Sequence, residues 1–433
     1  MKDWEAHYRQ IRVTPDEAVR RVQSGRRLFV ETNCSEPLSL IEALVRAKDR
    51  LRQVEIVQGF YRDRTCPYAQ PGMENHFSIK SLHASPAIAG ALEQGWAEYI
   101  PVHLSDIPRL CTEGPLPVDV ALIQLSPPDE NGFCSFGITV NFIKPIAENA
   151  KIILAEINDQ MPKTSGDTLI HISQLHAAVE HSHPLIELRQ KARDPISEKI
   201  ASYVADLIPD GATLQVGIGE IPDAVLHFLE GKKELGLHTG TLSDAMVELI
   251  RQGVVTNGLK TLNRGKSVTS MAMGTNSGVY RFVGQNPEVE FYPVSYTHDV
   301  CVIGRIDRFI TVNSAIQVDL FGQVNAESIG GRVVSGVGGS QNFTIGASRS
   351  KGGKSIVALP STAASGKVSR IVPRLDPDAC ATTPRADIHY VVTEYGVADL
   401  RWKSLSQRAK ELAAIAHPDF RETLRRSSKG GEN

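Results

Sequence analysis

The sequence predicts an α/β fold in two parts, because apolar strands alternate with helices and the same alternation starts again near residue 195. Residues 118–125 are largely apolar, which is typical of a parallel strand that is buried on both faces. Thr14-Pro15-Asp16-Glu17 forms a capping box with proline at the first helical position, so a helix is expected to begin there. We therefore expect parallel or mixed sheets flanked by helices.

The elements follow in order along the chain. The strands predicted for the first half lie at residues 28–32, 54–57, 99–103, 118–125 and 151–156, and helices begin near residues 14, 35 and 85. Asp194-Pro195-Ile196-Ser197 starts a new helix, and the domain boundary beside it gives domains of residues 1–190 and 191–433. The elements predicted for the second half are strands at 214–216, 309–312, 356–359 and 388–393 and helices at 243–253 and 404–416.

The composition is that of a soluble globular protein, with 41% hydrophobic and 22% charged residues among 433. A net charge of -2 gives no electrostatic reason to expect nucleic acid or an anionic membrane as partner. The six cysteines include no Cys-x-x-Cys pair, which argues against a disulfide framework or a structural zinc site. Because no signal-peptide core and no run of about 20 apolar residues is present, we expect a cytoplasmic protein.

One glycine-rich segment predicts a ligand site made by the main chain. A short apolar strand runs into Gly217-Ile218-Gly219-Glu220-Ile221-Pro222, where the proline is expected to open a helix. Glycine lets backbone N–H groups approach a ligand closely, and a helix start carries partial positive charge, so the ligand would be anionic or carbonyl-bearing. The dinucleotide-binding pattern is excluded because its third glycine is missing. Taken alone, the segment also suits an ordinary strand–turn–helix connection.

Four histidines, His171, His176, His181 and His183, raise the question of a metal site. Helical metal ligands lie three or four residues apart on one face, whereas the first three of these histidines are spaced by five. We therefore interpret them as solvated or hydrogen-bonded structural residues and predict no metal site.

Segments distributed over the chain from Trp4 to about Leu424 resemble the acetyl-CoA hydrolase/transferase group of the family I CoA-transferases. Besides the Gly-Ile-Gly-Glu-Ile-Pro stretch, the matching segments are Ser126-Pro127-Pro128-Asp129-Glu130-Asn131-Gly132-Phe133-Cys134, Asn158-Asp159-Gln160-Met161-Pro162, Ser182-His183-Pro184, Asp319-Leu320-Phe321-Gly322-Gln323-Val324-Asn325-Ala326-Glu327-Ser328, Ser335-Gly336-Val337-Gly338-Gly339, Val392-Thr393-Glu394-Tyr395-Gly396 and Ala416-His417-Pro418-Asp419-Phe420.

The resemblance implies two open α/β domains of the family I CoA-transferase type that face each other, in a homodimer or a larger homo-oligomer. It implies an acyl-CoA and an acceptor as small-molecule partners, with coenzyme A or acyl-CoA as substrate and no tightly bound cofactor. In the family's reaction, a glutamate attacks the thioester and forms a mixed anhydride, which CoA thiolate converts to a glutamyl-CoA thioester. The incoming acid then reverses these steps. Short-chain or dicarboxylic acyl groups are the implied substrates.

The resemblance also assigns residues to the site. Gly217, Ile218, Gly219, Glu220, Ile221 and Pro222 would line CoA. Asn313 would be a further CoA contact. Gly338 and Gly339 match a glycine loop whose amides face the thioester carbonyl and stabilise developing oxyanion charge. Asn342 stands where an aspartate is common, so it keeps the size of that residue and loses its charge.

Gly240 stands where the family has its catalytic glutamate. That glutamate ends a Gly-x-His-[Ser/Thr]-Glu segment, which here is Gly236-Leu237-His238-Thr239-Gly240. Glycine has no side chain, so it can form neither an anhydride nor a thioester. Because removing a covalent nucleophile from another class of enzyme costs on the order of 10⁶ in turnover, the usual ping-pong cycle should be essentially absent. The retained surrounding segments predict that acyl-CoA still binds.

Three interpretations stay open at this point. Another carboxylate can replace the glutamate, with Glu220, Asp244 and Glu327 as candidates, although Glu220 also suits a carboxylate stabilised by a helix start. Alternatively, the acyl group passes directly to water, an amine or another nucleophile, with His238 either acting as base or only orienting its loop. In the third interpretation the chain is a CoA-binding protein with little catalysis, or a variant from which the nucleophile has been removed.

Overall fold

The apolar segments assemble into two large sheets, one in each of two units of the chain. The structure is a computed structural model and describes residues 3–59, 65–189 and 194–429. One unit comprises Met1–Arg189 and Val268–Tyr296, and the other comprises Gln190–Ser267 and Thr297–Asn433. The predicted boundary between residues 190 and 191 lies outside the described residues, so the domain limits stay a prediction.

The first unit is built on a seven-stranded sheet in which all neighbouring strands are parallel. From edge to edge its strands are Ala177–Glu180, Ile152–Ile157, Val120–Leu125, Arg27–Val30, Val54–Gln58, Phe77–Ser81 and Ala97–Tyr99. Val120–Leu125 is buried at every position, as predicted for a strand covered on both faces.

The remaining elements of this unit are short. Its helices are Asp3–Ile11, Pro15–Val19, Leu38–Arg46, Ala89–Glu93, Ile107–Thr112, Ile143–Asn149 and Ser277–Gln285, and Val294–Thr297 ends at the border with the second unit. Its minor strands are Phe133–Ser135, Ser165–Gly166, Leu169–His171, Met271–Ala272 and Val289–Phe291, while Ser267–Thr269 begins at the other border. Thr14 caps the second helix with the predicted reciprocal bonds to Glu17, which confirms the capping box.

The second unit is built on a six-stranded sheet that is parallel except at one edge. Its order is Gly236–Leu237, Thr213–Val216, Phe309–Ser314, Lys354–Ala358, Tyr390–Thr393 and Gly396–Asp399, with the last pair antiparallel. Its helices are Pro195–Asp206, Glu220–His227, Asp244–Arg251, Val300–Gly304, Ser340–Arg349, Leu405–Ile415 and Pro418–Lys429. Its minor strands are Thr241–Leu242, Gln317–Asp319, Val324–Asn325, Ser328–Ile329, Arg332–Val333, Thr362–Ala363, Val368–Ser369 and Ile371–Val372. The predicted α/β class is therefore confirmed.

Several strands of the two large sheets differ from the sequence predictions. The strand expected at residues 99–103 lies instead at Ala97–Tyr99, because Pro101 has no N–H to offer a sheet ladder. The strands Phe77–Ser81, Ala177–Glu180, Gly236–Leu237 and Gly396–Asp399 have no counterpart among the predictions. In Phe77–Ser81 the polar positions hide a strand whose alternate residues are buried. Among the residues described, no helix combines the length and the apolar character that crossing a membrane would take.

Candidate functional site

The Gly-Ile-Gly turn lies at the carboxyl edge of the second unit's parallel sheet. The strand Thr213–Val216 ends at Gly217, whose N–H donates to the Val312 carbonyl at 3.1 Å. Gly219 has a φ of 137° and caps the helix Glu220–His227, so only glycine adopts this turn without strain. The helix begins two residues earlier than predicted, which moves Pro222 to its third position, where an N–H has no intrahelical partner.

Asn313 lies at the same edge, on the neighbouring strand Phe309–Ser314. Its side-chain N–H donates to the Thr311 hydroxyl at 2.8 Å, and that hydroxyl in turn donates to the Gln215 side-chain carbonyl. This chain of hydrogen bonds fixes a half-buried amide at the carboxyl end of two adjacent parallel strands, which is where open α/β sheets bind ligands.

The second glycine loop precedes the helix Ser340–Arg349. Gly338 has a φ of 58°, and Gly339 occupies the N-cap position of the helix. Backbone N–H groups at a helix start lack intrahelical partners and carry partial positive charge. The loop therefore offers main-chain donors suited to negative charge, as the predicted oxyanion role of both glycines requires.

Gly240 and Gly339 lie on either side of one imidazole, that of His298. A Cβ placed on Gly240 would be 2.9 Å from His298 Nε2 and 3.1 Å from Cε1. A Cβ placed on Gly339 would be 2.5 Å from Cδ2 and 2.6 Å from Nε2 of the same ring. Since real Cβ atoms essentially never come within 3.0 Å of another atom in this way, the ring takes the room that side chains at these positions would need. The histidine thus stands beside the position that the resemblance assigns to the nucleophile.

His298 is held in one orientation by its neighbours. Its Nδ1 lies 2.8 Å from the Thr297 hydroxyl, and its ring packs against Phe343 with centroids 4.5 Å apart. Phe343 belongs to an apolar cluster with Phe309 and Ile303. The imidazole is 1% exposed, and burial lowers its pKa to about 3 with a smaller contribution from nearby His238. The ring is therefore neutral near pH 7.

His238, the base considered from the sequence, contacts main chain. Its Nε2 donates to the Thr297 carbonyl at 2.9 Å, and the side chain is fully buried. Burial, followed by the charge of Lys260, lowers its pKa to about 3. The bond fixes the backbone next to His298, which agrees with the loop-orienting interpretation; its role as a base stays a prediction.

The three carboxylates considered as replacements occupy different surroundings. Glu220 is exposed in the first turn of its helix, and Asp244 is half-buried at the start of another. Glu327 is buried, and its backbone carbonyl accepts N–H groups of the segment that leads to the glycine loop. The three heavy atoms nearest to a Cβ on Gly240 belong to His298 and Phe343, so it is the imidazole that contacts this position.

In the first unit, the structure brings His181 and His183 to the buried carboxylate of Glu156. His183 Nε2 lies 2.8 Å and His181 Nδ1 lies 3.4 Å from its oxygens, while the Ser39 N–H donates to it at 2.7 Å. The helical spacing rule missed this group because both histidines follow the strand Ala177–Glu180 in non-helical chain. The 2.8 Å separation is that of a direct hydrogen bond, and the expected absence of a metal stays a prediction.

The fold defines an α/β protein with one glycine turn at the carboxyl edge of a parallel sheet and a second glycine loop at the start of a helix. Family models for the N-terminal domain of acetyl-CoA hydrolase/transferase and for its C-terminal domain match residues 1–188 and 274–428. The chain therefore belongs to the acetyl-CoA hydrolase/transferase family, which is a family of enzymes.

Similar proteins agree with this assignment. The 4-hydroxybutyrate coenzyme A transferase of Clostridium kluyveri is 47% identical over 98% of both chains. The crystal structure of RipA from Yersinia pestis has a TM-score of 0.93 and 35% identity over 99% of each chain. The 4-hydroxybutyrate CoA-transferase structure from Porphyromonas gingivalis has a TM-score of 0.84 and 38% identity, covering 99% of this chain and 100% of the other. The predicted family and its α/β fold type are thereby confirmed.

Because His238 and His298 are buried in their neutral form, the protein should become less stable as the pH falls. Both folded-state pKa values are about 3, below the ordinary 6.5, so the unfolded chain binds more protons between these limits. The free energy of unfolding should therefore fall as pH falls from about 6.5 towards 3, by up to about 1.4 kcal/mol per pH unit for each imidazole. Chemical unfolding of wild type and His298→Asn at several pH values measures this. The difference in free energy of unfolding between wild type and His298→Asn should become smaller as the pH falls from about 6.5 to 3. A difference that stays constant over this range would contradict the burial of His298.

The close approach of His298 predicts that Gly339→Ala destabilises the protein. The new methyl group would overlap the imidazole, and overpacking of this kind costs about 1–3 kcal/mol. Gly231→Ala is the matched control, because its methyl group would meet nothing within 4 Å and its φ is not in the left-handed region. Thermal unfolding should show the loss for Gly339→Ala and its partial relief in Gly339→Ala/His298→Ala. Equal melting temperatures for the two alanine variants would show that the ring lies elsewhere.

Proposed function

We propose that this protein binds a short-chain acyl-CoA and acts on its thioester by passing the acyl group directly to water or another nucleophile. The observation that carries the proposal is Gly240, which has no side chain to form the covalent intermediate and faces an imidazole instead of a carboxylate. The usual glutamyl-CoA exchange would then be replaced by acyl-CoA hydrolysis or acyl transfer.

Main-chain groups at the sheet edge support the binding part of the proposal. The Gly217–Pro222 segment and Asn313 would hold CoA, since they meet at the carboxyl ends of adjacent parallel strands. Gly338 and Gly339 would stabilise the developing oxyanion with N–H groups at a helix start. Among relatives, the names of the 4-hydroxybutyrate CoA-transferases agree with a short-chain acyl-CoA as substrate and a carboxylate as acceptor.

A second candidate function is non-catalytic acyl-CoA binding. It is favoured by the tight packing of His298, which leaves the ring 1% exposed between Gly240 and Gly339. The two functions differ in turnover, whereas both require that acyl-CoA binds.

The proposal predicts turnover without a covalent CoA adduct. The protein is incubated with several short-chain acyl-CoAs, thioester loss is followed, and the digested protein is searched by mass spectrometry for CoA linked to glutamate. Cleavage with unmodified peptides around Glu220 and Glu327 would support direct transfer. A CoA adduct on either glutamate would establish a relocated nucleophile, and tight binding without any turnover would establish the binding protein.

Restoring the family's exchange reaction is expected to take two substitutions. Gly240→Glu alone would drive the new side chain against His298 Nε2, so we expect little exchange between an acyl-CoA and labelled acetate. Gly240→Glu/His298→Ala removes that overlap and should gain exchange together with a glutamyl-CoA adduct. Gly240→Gln/His298→Ala has the same shape without the nucleophile and is the control. A gain in the single variant equal to that in the double variant would show that the imidazole does not block this position.

A further inference from the structure

We propose that His298 is the catalytic base of this protein and acts from the place that the family's glutamate would occupy. This inference rests on the proposed function, because it concerns how the acyl group leaves CoA without a covalent intermediate. It assigns a chemical role to a residue that no sequence motif indicated.

The position of the imidazole supports this assignment. Its Nε2 is the atom nearest to a Cβ on Gly240, at 2.9 Å, and would be only 2.6 Å from a Cβ on Gly339. A thioester carbonyl that accepts hydrogen bonds from the Gly338–Gly339 loop would therefore have its carbon beside Nε2. A base must come within hydrogen-bonding reach of the proton that it removes, and Nε2 would meet this condition for a water molecule beside such a carbon.

Thr297 and His238 hold the ring in the form that the reaction needs. When Nδ1–H donates to the Thr297 hydroxyl at 2.8 Å, the lone pair of the neutral imidazole is on Nε2. The Thr297 carbonyl is fixed by His238 at 2.9 Å, so the backbone beside the base is also fixed. In other enzymes, the base that activates a nucleophile is likewise oriented by a hydrogen bond to a third group.

The proton and electron movements balance without a further reactant. As the oxygen of a water molecule bonds to the thioester carbon, its proton passes to His298 Nε2 and the carbonyl electron pair moves to oxygen. The Gly338 and Gly339 N–H groups stabilise that oxyanion. When the carbonyl re-forms, the C–S bond breaks, its electron pair goes to the CoA sulfur, and the proton on Nε2 passes to that sulfur. The products are the free acid and CoA thiol.

Acyl-CoA cleavage in His298 variants tests the proposal. His298→Asn and His298→Ala should lower kcat by about 10²- to 10⁴-fold, the usual contribution of a general base. Added imidazole should restore part of the activity of His298→Ala, since the deleted ring leaves room for it, and a purely structural histidine would show no such rescue. His389→Asn is the matched control: His389 is also buried in this unit, but it precedes the strand Tyr390–Thr393 and lies at the amino edge of the sheet.

Thr297→Val keeps the imidazole and removes the hydroxyl that lies 2.8 Å from its Nδ1, so it tests the same base if the His298 variants fail to fold. It should lower kcat by roughly tenfold or more with little change in KM, because it disturbs proton transfer more than binding. Wild-type turnover that survives in folded His298→Ala, or in Thr297→Val at full kcat, would overturn the role of His298 and leave direct transfer standing. Absence of turnover in the wild-type protein would overturn both.

Discussion

The site depends on the volume shared by residues 240 and 298. The imidazole of His298 fits against Gly240 and Gly339 only because neither glycine has a Cβ. Protein interiors are close-packed, so a side chain at residue 240 and the ring at residue 298 exclude each other in this arrangement. The chemistry available at the centre of the site is therefore decided by a pair of residues far apart in the sequence.

Burial of this ring has consequences for charge as well as for space. His298 and His238 are both neutral because desolvation disfavours imidazolium, and the aromatic rings of Phe343 and Phe309 form the apolar side of their surroundings. A neutral imidazole can accept a proton, but a low pKa makes it a weak base. In the proposed reaction, the main-chain donors of the Gly338–Gly339 loop would then supply much of the stabilisation of the transition state, a contribution that such donors make in other enzymes.

The sequence alone predicted the α/β fold class, and of the two residues Gly240 and His298 it indicated only Gly240. Buried apolar strands such as Val120–Leu125 were identified because their composition depends only on local burial, and the capping box at Thr14 because it is a local set of hydrogen bonds. Gly240 was identified from a short motif. His298 was not, because its significance comes from a tertiary approach between chain segments more than 50 residues apart. The grouping of His181 and His183 with Glu156 was missed similarly, since a helical spacing rule does not describe non-helical chain.

The cost of burying a charge also explains why a neutral imidazole suits the position beside Gly240, where a carboxylate is absent. A buried carboxylate needs hydrogen-bond donors or an opposite charge, and in the proposed site the N–H groups of the Gly338–Gly339 loop would be such donors. If an anionic nucleophile accepted hydrogen bonds from these N–H groups before the reaction, fewer N–H groups would be available to the thioester oxygen as it becomes negative. A neutral base places no such demand on the loop, because its charge appears only as the proton arrives and is opposite to that of the oxyanion. The two charges then develop together and stabilise each other within the buried site, where Coulomb attraction is stronger than in water.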